Sequence, residues 1–250
     1  MDMALDAHAS PDASPHASPH ASPDQSPNQS LDSSLDSSLD YFNQTEKARV
    51  LLTQNPLYRH ALYAILRACS EEDWQLDELE AYILTLDEYG NTSQPPYTLI
   101  QWLDDALVLD TWEIDAHGEK LTPERCVDLT EDEIDDLAVS TVFRANSAGM
   151  MILDEFSPKA RLMELFYASP LRVDTYLEVL EFLREKRLYA DLDQLLRGRE
   201  VLMDGRGDDE GPMQPSVYVD KLSSAGGIVY REGWIITREG KEFLETYKAQ

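Results

Sequence analysis

Hydrophobic side chains recur every three or four residues through most of the chain beyond residue 55, which predicts a series of amphipathic helices. In the first part of the chain the stripes are Leu62, Ile65, Leu66 and Cys69; then Leu79, Ile83 and Leu86; then Leu99, Trp102, Leu103 and Ala106. Asn55 and Pro56 predict the start of the first helix, because Asn is a good cap and Pro suits the first helical position. Pro95 and Pro96 open the third helix in the same way.

The pattern changes after the third stripe. Residues 108–114 alternate between apolar and polar side chains, which predicts a strand, and residues 115–118 predict a turn. An acidic run over 128–137 follows, in which Thr130 and Glu133 have the spacing of a capping box. The run lacks the glycine and the terminal glutamate of a calcium-binding loop, so it predicts a solvated helix rather than a metal site.

Helical spacing returns in the second part of the chain after Ser157 and Pro158. The stripes are Leu162, Leu165 and Phe166; Tyr176, Leu177, Leu180 and Leu183; Leu192, Leu195 and Leu196; and Val219, Leu222 and Ala225. Gly226 and Gly227 predict the C-cap of the last of these helices, which leads into a first strand at Ile228 and Val229. A second strand from Trp234 precedes a final helix that carries Phe243, Leu244 and Tyr247.

The two parts of the chain contain an internal repeat. Gln94-Pro95 aligns with Gln214-Pro215 at an offset of 120 residues, and Leu103 and Ala106 align with Leu222 and Ala225 at an offset of 119. Upstream, residues 77–79 align with residues 193–195 at an offset of 116. A duplicated unit predicts two copies of one architecture, with short loop insertions accounting for the drift in the offset.

Three helices followed by a two-stranded hairpin resemble the winged-helix (winged helix-turn-helix) superfamily. The second copy carries the resemblance best, since Trp234 to Gly240 is similar to the return strand and the Thr-x-x-Gly turn of many winged-helix regulators. In the first copy Leu121-Thr122 occupies the matching place but lacks the glycine. A tandem pair in an acidic protein also resembles the segregation and condensation protein B type of adaptor, in architecture alone.

These patterns predict a mainly α fold with short β-hairpins (α+β), organised as two tandem winged-helix-like domains. The expected boundaries are a disordered tail over 1–40, a first domain over 41–125, an acidic helical linker over 126–156 and a second domain over 157–250. The tail prediction rests on a serine at every fourth position, seven Asp and no Lys or Arg. A segment with so little to bury cannot offset the entropy of ordering.

Charge and composition narrow the function classes. The chain has 48 Asp and Glu against 21 Lys and Arg, a formal net charge of −27, which repels nucleic acid and anionic membranes. It has no apolar stretch of the length that a membrane-spanning helix needs and no secretory signal, so a cytoplasmic location is expected.

Cys69 and Cys126 are expected to be reduced buried thiols. Catalytic, cofactor and metal motifs are not apparent, so a non-enzymatic protein without cofactors is expected.

Two functional hypotheses remain open. The first is a protein-interaction or adaptor role with a basic protein partner, because residues 41–145 carry a net charge of −15 and the third helix there places Asp104 and Asp105 outward. The second is a transcriptional regulator that binds DNA through the second domain as a homodimer. Its candidate DNA contacts are Tyr218, Lys221, Arg231, Arg238 and Lys241, because phosphate contacts need cations.

Overall fold

The computed structural model describes residues 44–203 and 213–249, which form two sequential halves with separate hydrophobic cores. The core of the first half runs from Ala48 to Phe156, and that of the second half from Leu162 to Leu244. The predicted tail over 1–40 and the loop over 204–211 lie outside the described residues. The described chain is mainly helical with a few small antiparallel strands, which confirms the predicted α+β class at that level.

The first half contains seven helices and three strands within the described residues. They are α1 (44–54), α2 (Arg59–Glu71), β1 (Trp74–Gln75), α3 (Leu76–Thr85), a 3-10 turn (Asp87–Asn91), α4 (Pro96–Asp105), β2 (Leu109–Ile114), α5 (Pro123–Cys126), α6 (Glu131–Leu137), β3 (Ser140–Ala145) and α7 (Ser147–Glu155). Pro96 starts α4 as predicted, while Asn55 and Pro56 form a turn between α1 and α2. The Thr130 capping box of α6 is confirmed.

The second half repeats much of this order. Its elements are α8 (Pro158–Ala168), a 3-10 turn (Pro170–Arg172), α9 (Val173–Phe182), α10 (Tyr189–Leu196), α11 (Glu200–Met203), α12 (Pro215–Ser224), β4 (Ile228–Tyr230), β5 (Trp234–Ile236) and α13 (Arg238–Lys248). The predicted helix start at Pro158 agrees with the structure, and the next two helices begin at Val173 and Tyr189. The buried faces of these helices carry the predicted stripes, since Leu162, Leu180 and Leu192 have no exposed surface.

The strands are paired in the same order in both halves. In the first half β3 lies between β1 and β2, and both pairs are antiparallel. In the second half β5 pairs with β4 on one side, and on the other side Trp234 forms an antiparallel bridge with Arg187. Arg187 therefore takes the place that Trp74 has in the first half, which corrects the upstream offset of 116 residues to 113.

We call α4 and α12 the third helices of the two halves, and their ends have the same geometry at an offset of 119 residues. The amide of Val108 donates to the carbonyl of Leu103 at 3.3 Å, and the amide of Gly227 donates to the carbonyl of Leu222 at 2.9 Å. The residue just before each donating amide has a left-handed backbone. It is Leu107 in the first half, with φ of 60°, and Gly226 in the second, with φ of 83°. This is the geometry of a helix C-cap in which glycine is usually preferred.

The last helix of each half is anchored to the third helix by the same hydrogen bond. The amide of Asn146 donates to the carbonyl of Val108 at 3.1 Å, and the amide of Thr237 donates to the carbonyl of Gly227 at 3.1 Å. Asn146 and Thr237 are also the N-caps of α7 and α13. The counterpart of the Thr-x-x-Gly turn in the first half is therefore Asn146 to Gly149, and the assignment of Leu121-Thr122 to that place is wrong.

The predicted boundary of the first domain is also corrected. β3 pairs with β2 over six residues from Leu109 to Ile114, and α7 places Ala148, Ile152 and Leu153 in the first core. The segment 126–156 is therefore part of the first half rather than a linker. Sequence reasoning missed β3 because the 25-residue insertion over 115–139 separates it from its hairpin partner.

We predict that Gly240→Ala destabilises the protein because α13 starts in close contact with the third helix. A Cβ atom at Gly240 would lie 2.2 Å from the carbonyl oxygen of Gly227. Overpacking of this kind costs about 1–3 kcal/mol, which chemical denaturation can measure. The structurally equivalent Gly149→Ala should behave alike, since its Cβ would lie 2.5 Å from the carbonyl oxygen of Val108. Glu245→Ala on the exposed face of α13 is the control, and an equal effect there would contradict the steric explanation.

Candidate protein-interaction surface

The outward faces of the two third helices carry no cation among their six exposed positions. These positions are Tyr97, Gln101 and Asp105 on α4, and Val217, Asp220 and Ser224 on α12. A helix that enters the major groove normally presents donors to bases and cations to nearby phosphates. Both third helices instead present a carboxylate beside apolar or neutral side chains. Asp104, predicted to face outward, is half-buried, and its pKa is raised by burial and by the neighbouring Asp105.

Tyr218, one of the five candidate DNA contacts, lies in the core of the second half. Its side chain has no exposed surface, and its ring lies 4.5 Å from that of Tyr176, centroid to centroid. The residue is on the inner face of α12, beside Val219 and Leu222. Its assignment as a DNA contact is therefore wrong.

Arg231, at the turn between β4 and β5, is directed into the first half. Its guanidinium donates to the backbone carbonyls of Thr85 at 3.1 Å and Leu86 at 3.2 Å, and lies 3.3 Å from the carboxylate of Asp87. α3 has no basic residue in its last turn, so Arg231 supplies the positive charge that the carbonyl end of a helix attracts. Its aliphatic part packs on Gly90, where a Cβ would lie 2.5 Å from the Arg231 Cγ.

The remaining predicted cations do not form a free basic face. Arg238 pairs with Glu71 of the first half at 3.0 Å and with Glu242 at 3.1 Å. Lys221 and Lys241 are half-buried on α12 and α13. The structure therefore brings Arg231 and Arg238 to the contact between the halves and separates them from the outward face of α12.

A third arginine completes this contact. Arg67 on α2 donates to Glu239 at 2.8 Å and to Glu242 at 2.9 Å, and only 19% of the Arg67 side chain and 9% of the Glu239 side chain are exposed. Burial lowers the pKa of Arg67, but its hydrogen bonds to Glu242 and Glu239 raise it by more, so the guanidinium stays charged. We use the name arginine clamp for Arg67, Arg231 and Arg238.

A small cavity of about 200 Å³ beside the clamp gathers titratable side chains from both halves. Burial raises the pKa of Glu88 to about 7, and burial together with Arg59 and Arg161 lowers the pKa of His60 to about 4. Ser223 also lines the cavity and bonds His60 through its backbone. His60 thus has a backbone group of Ser223 as a hydrogen-bond partner.

The insertion over 115–139 forms an acidic surface on the first half. It holds nine Asp and Glu against two Lys and Arg. Asp115 anchors its base, accepting hydrogen bonds from Arg125 at 2.7 Å and from the amides of Glu119 and His117 at 2.9 Å. The bond from Arg125, followed by that from Glu119, lowers the pKa of Asp115 to about 2. On α6 the exposed acids are Glu131, Asp132, Glu133, Asp135 and Asp136.

A second feature of the first half is an open groove of about 990 Å³ between α1 and the end of α4. We call it the α1–α4 groove; it is lined by Gln44, Glu46, Lys47, Val50, Leu51, Asn55, Trp102, Asp105, Ala106 and Leu107. The ring of Tyr58 meets Trp102 edge-on at 5.3 Å and holds the indole in place. Sequence analysis did not predict this groove, because α1 was not recognised as a separate helix.

Leu107 at the rim of the groove is the notable departure from the repeat. A left-handed backbone costs a non-glycine residue about 1–2 kcal/mol, and the second half has Gly226 at this position. Leu107 nevertheless keeps 43% of its surface exposed. The repeat alignment at offset 119 already places Leu107 opposite Gly226, and that was the sequence signal that could have revealed it.

Comparison of the chain with protein-family models, with curated proteins and with solved structures found no match. Within residues 44–203 and 213–249, His, Cys, Asp and Glu do not form groups of three or more that could hold a metal ion. In the same part of the chain, no helix is both long and apolar enough to cross a membrane. Cys69 is a buried free thiol as expected, while Cys126 is half-buried.

We predict that Arg67→Met lowers the free energy of unfolding by about 3 kcal/mol, because it leaves the buried carboxylate of Glu239 without its partner. Arg184→Met is the matched control. Arg184 pairs with Glu181 and Glu245 at the surface, where an ion pair contributes less than about 1 kcal/mol. Equal losses for the two variants in urea denaturation would contradict a special role for the clamp.

We also predict that Glu88→Gln stabilises the protein at alkaline pH. The folded-state pKa of Glu88 is about 7 and the ordinary value is 4.5, so the folded protein holds the proton more tightly. The stability contributed by neutral Glu88 is complete below about pH 4.5 and is lost as the pH rises through about 7. The free energy of unfolding of the variant should therefore exceed that of the parent by about 1–3 kcal/mol near pH 8. Near pH 4.5 the two should differ little.

The exposed Glu78→Gln on α3 is the control for this titration. It should change the free energy of unfolding by only a small amount, as substitutions at exposed positions usually do. A stability difference between the Glu88 variant and the parent that stays constant from pH 4.5 to pH 8 would show that Glu88 is ionised in the folded protein.

Proposed function

We propose that the two halves are tandem winged-helix domains. The support is the repeated order of helix, short strand or bridge, two helices, two antiparallel strands and a capping helix. The central position of the last strand in each half, and the equivalent hydrogen bonds at Val108 and Gly227, support it further. On this proposal α4 and α12 are the third helices, the β4–β5 turn is the wing of the second domain, and residues 115–139 enlarge the wing of the first.

We propose that the protein is a non-enzymatic interaction or adaptor protein whose acidic first domain binds a basic protein. The observation that carries this proposal is the use of Arg231 and Arg238 within the chain. With the second wing held against the first half, Arg231 and Arg238 are unavailable to phosphates, and Tyr218 is in the core. The acidic insertion is the part of the first half that concentrates exposed carboxylates, five of them on α6.

Charge complementarity gives this surface its expected partner. A protein face with many unpaired carboxylates attracts Lys and Arg over about a Debye length and speeds association. The same negative electrostatic field opposes the alternative function, DNA binding, because each phosphate contact requires a cation. Lys221 and Lys241 alone are fewer than the six to ten contacts that salt-dependent DNA binding involves.

We predict that the full chain binds a fluorescently labelled Lys-rich peptide but not random duplex DNA, measured by anisotropy at low salt. Neutralising Asp132, Asp135 and Asp136 to Asn should weaken peptide binding about five- to tenfold, since each rim charge contributes modestly. These three acids lie outside the capping box of Thr130 and Glu133, so α6 keeps its N-terminal cap.

A variant with the same net charge controls for overall electrostatics. Glu164→Gln, Asp174→Asn and Asp220→Asn remove three exposed acids from the second half. Equal weakening by both triple variants would mean that the peptide responds to net charge rather than to the insertion, which would overturn the proposed surface. DNA binding that is lost on Lys221→Glu would instead support the regulator.

A further inference from the structure

We propose that the α1–α4 groove binds an amphipathic helix of the basic partner, with the apolar face of that helix on Trp102 and Leu107 and its Lys or Arg side chains beside Asp104 and Asp105. This inference rests on the proposed adaptor function and names the part of the partner that is recognised. The acidic insertion attracts the partner, and the groove supplies the apolar contact that electrostatic attraction alone does not provide.

The volume and the apolar lining of the groove suit a docked helix. Its volume of about 990 Å³ is similar to that of two turns of an α-helix about 10 Å across, on the order of 850 Å³. Its floor consists of Leu51, Trp102 and Ala106, and Val50 and Leu107 extend the apolar surface at the rim. An aromatic side chain held in an open apolar groove is the usual anchor point for the i, i+3, i+4 and i+7 residues of a docked helix.

Leu107 supplies independent support. The equivalent position in the second half is Gly226, whose φ of 83° is free of strain, whereas Leu107 adopts φ of 60° with a large side chain exposed. Gly226 is covered, with Pro158 as the closest neighbour to a Cβ built at that position. An exposed leucine that strains the backbone where its duplicate uses glycine is explained if its side chain contacts a partner.

The charges around the groove favour a basic occupant. Within the described residues, Asp104 and Asp105 at the end of α4 form no ion pair with Lys or Arg, and Glu46 at the opposite wall pairs with Arg49. Burial and the neighbouring Asp105 both raise the pKa of Asp104, and a cation from a partner would offset the repulsion between the two carboxylates. Lys47 is the one positive side chain among the groove residues, so their net charge with Asp104 included is negative.

The negative charge of the groove also distinguishes a basic helix from two other possible occupants. The segment over 31–40 precedes α1 and carries Leu31, Leu35 and Leu39 at helical spacing, but it also carries three Asp and no cation. A second copy of this chain would bring a net charge of −27 to an already acidic face. Both occupants would meet repulsion in the groove, whereas a basic helix would be attracted.

The probe is an 18-residue labelled peptide with Leu at positions i, i+3, i+4 and i+7 of each two turns and Lys elsewhere. Its binding to the full chain is measured by anisotropy. We expect saturable binding at least tenfold tighter than that of a scrambled peptide of the same composition, and tighter still than that of a peptide with Glu in place of Lys. Equal affinity for the designed and scrambled peptides, or no saturable binding, would overturn the proposal.

Two variants test the groove itself. Leu107→Gly copies the second half, removes the strained side chain and should weaken peptide binding about tenfold without lowering the melting temperature. Val50→Lys places a positive charge at the rim and should have a similar effect on binding. Leu188→Ala, which shortens an exposed leucine just before α10, is the control and should leave affinity unchanged. Affinities within twofold of the parent for both groove variants would overturn the proposal.

Further outcomes distinguish the occupants and the two proposals. A peptide that binds only after Leu31, Leu35 and Leu39 are changed to Ser would show that the chain's own segment fills the groove, and the partner proposal would be wrong. A dimer seen by sedimentation that Leu107→Gly dissociates would assign the groove to self-association instead. Loss of Lys-rich peptide binding on neutralising α6, with no effect of the groove variants on either peptide, would retain the adaptor function and reject the groove.

Discussion

The arginine clamp between the two halves is the constraint on which the rest of the molecule depends. Arg67 reaches from the first half to buried Glu239, while Arg231 reaches from the second half to the carbonyl end of α3. A buried carboxylate tolerates loss of its cation poorly, so separating the halves is costly. The clamp fixes the orientation of the second wing, and the surfaces open to partners are those that it leaves uncovered.

The clamp also decides which functions are plausible for a repeated unit of this kind. In the second half, Arg231 of the β4–β5 turn and Arg238 of α13 are engaged with the first half, and α12 turns Tyr218 inward and Asp220 outward. The first half has few cations to offer, and Arg125 and Arg144 pair with Asp115 and Asp73. The acidic insertion and the α1–α4 groove remain exposed on the first half, and these are the surfaces that the proposed protein partner would use.

The two halves share the packing of the third helix against the last helix and differ in the surface segments around it. The hydrogen bonds that join the third helix to the last helix are the same in both, and so is the close approach at Gly149 and Gly240. The first half has gained the insertion between β2 and β3, and it has Leu107 where the second half has Gly226. These differences lie on one half, and both proposed contacts with a partner use them.

The sequence by itself determined most of the helices, because apolar spacing and Pro or Gly at helix ends act locally. The stripes around Leu99 and Leu180, the start at Pro96 and the C-cap at Gly226 all agree with the structure. It also determined the duplication, although the upstream register was wrong. Tertiary structure alone placed β3 in the first sheet and Arg231 on α3, since both contacts join residues far apart in the chain. Local patterns carry no information on which distant groups will meet, and the candidate site depends on those meetings.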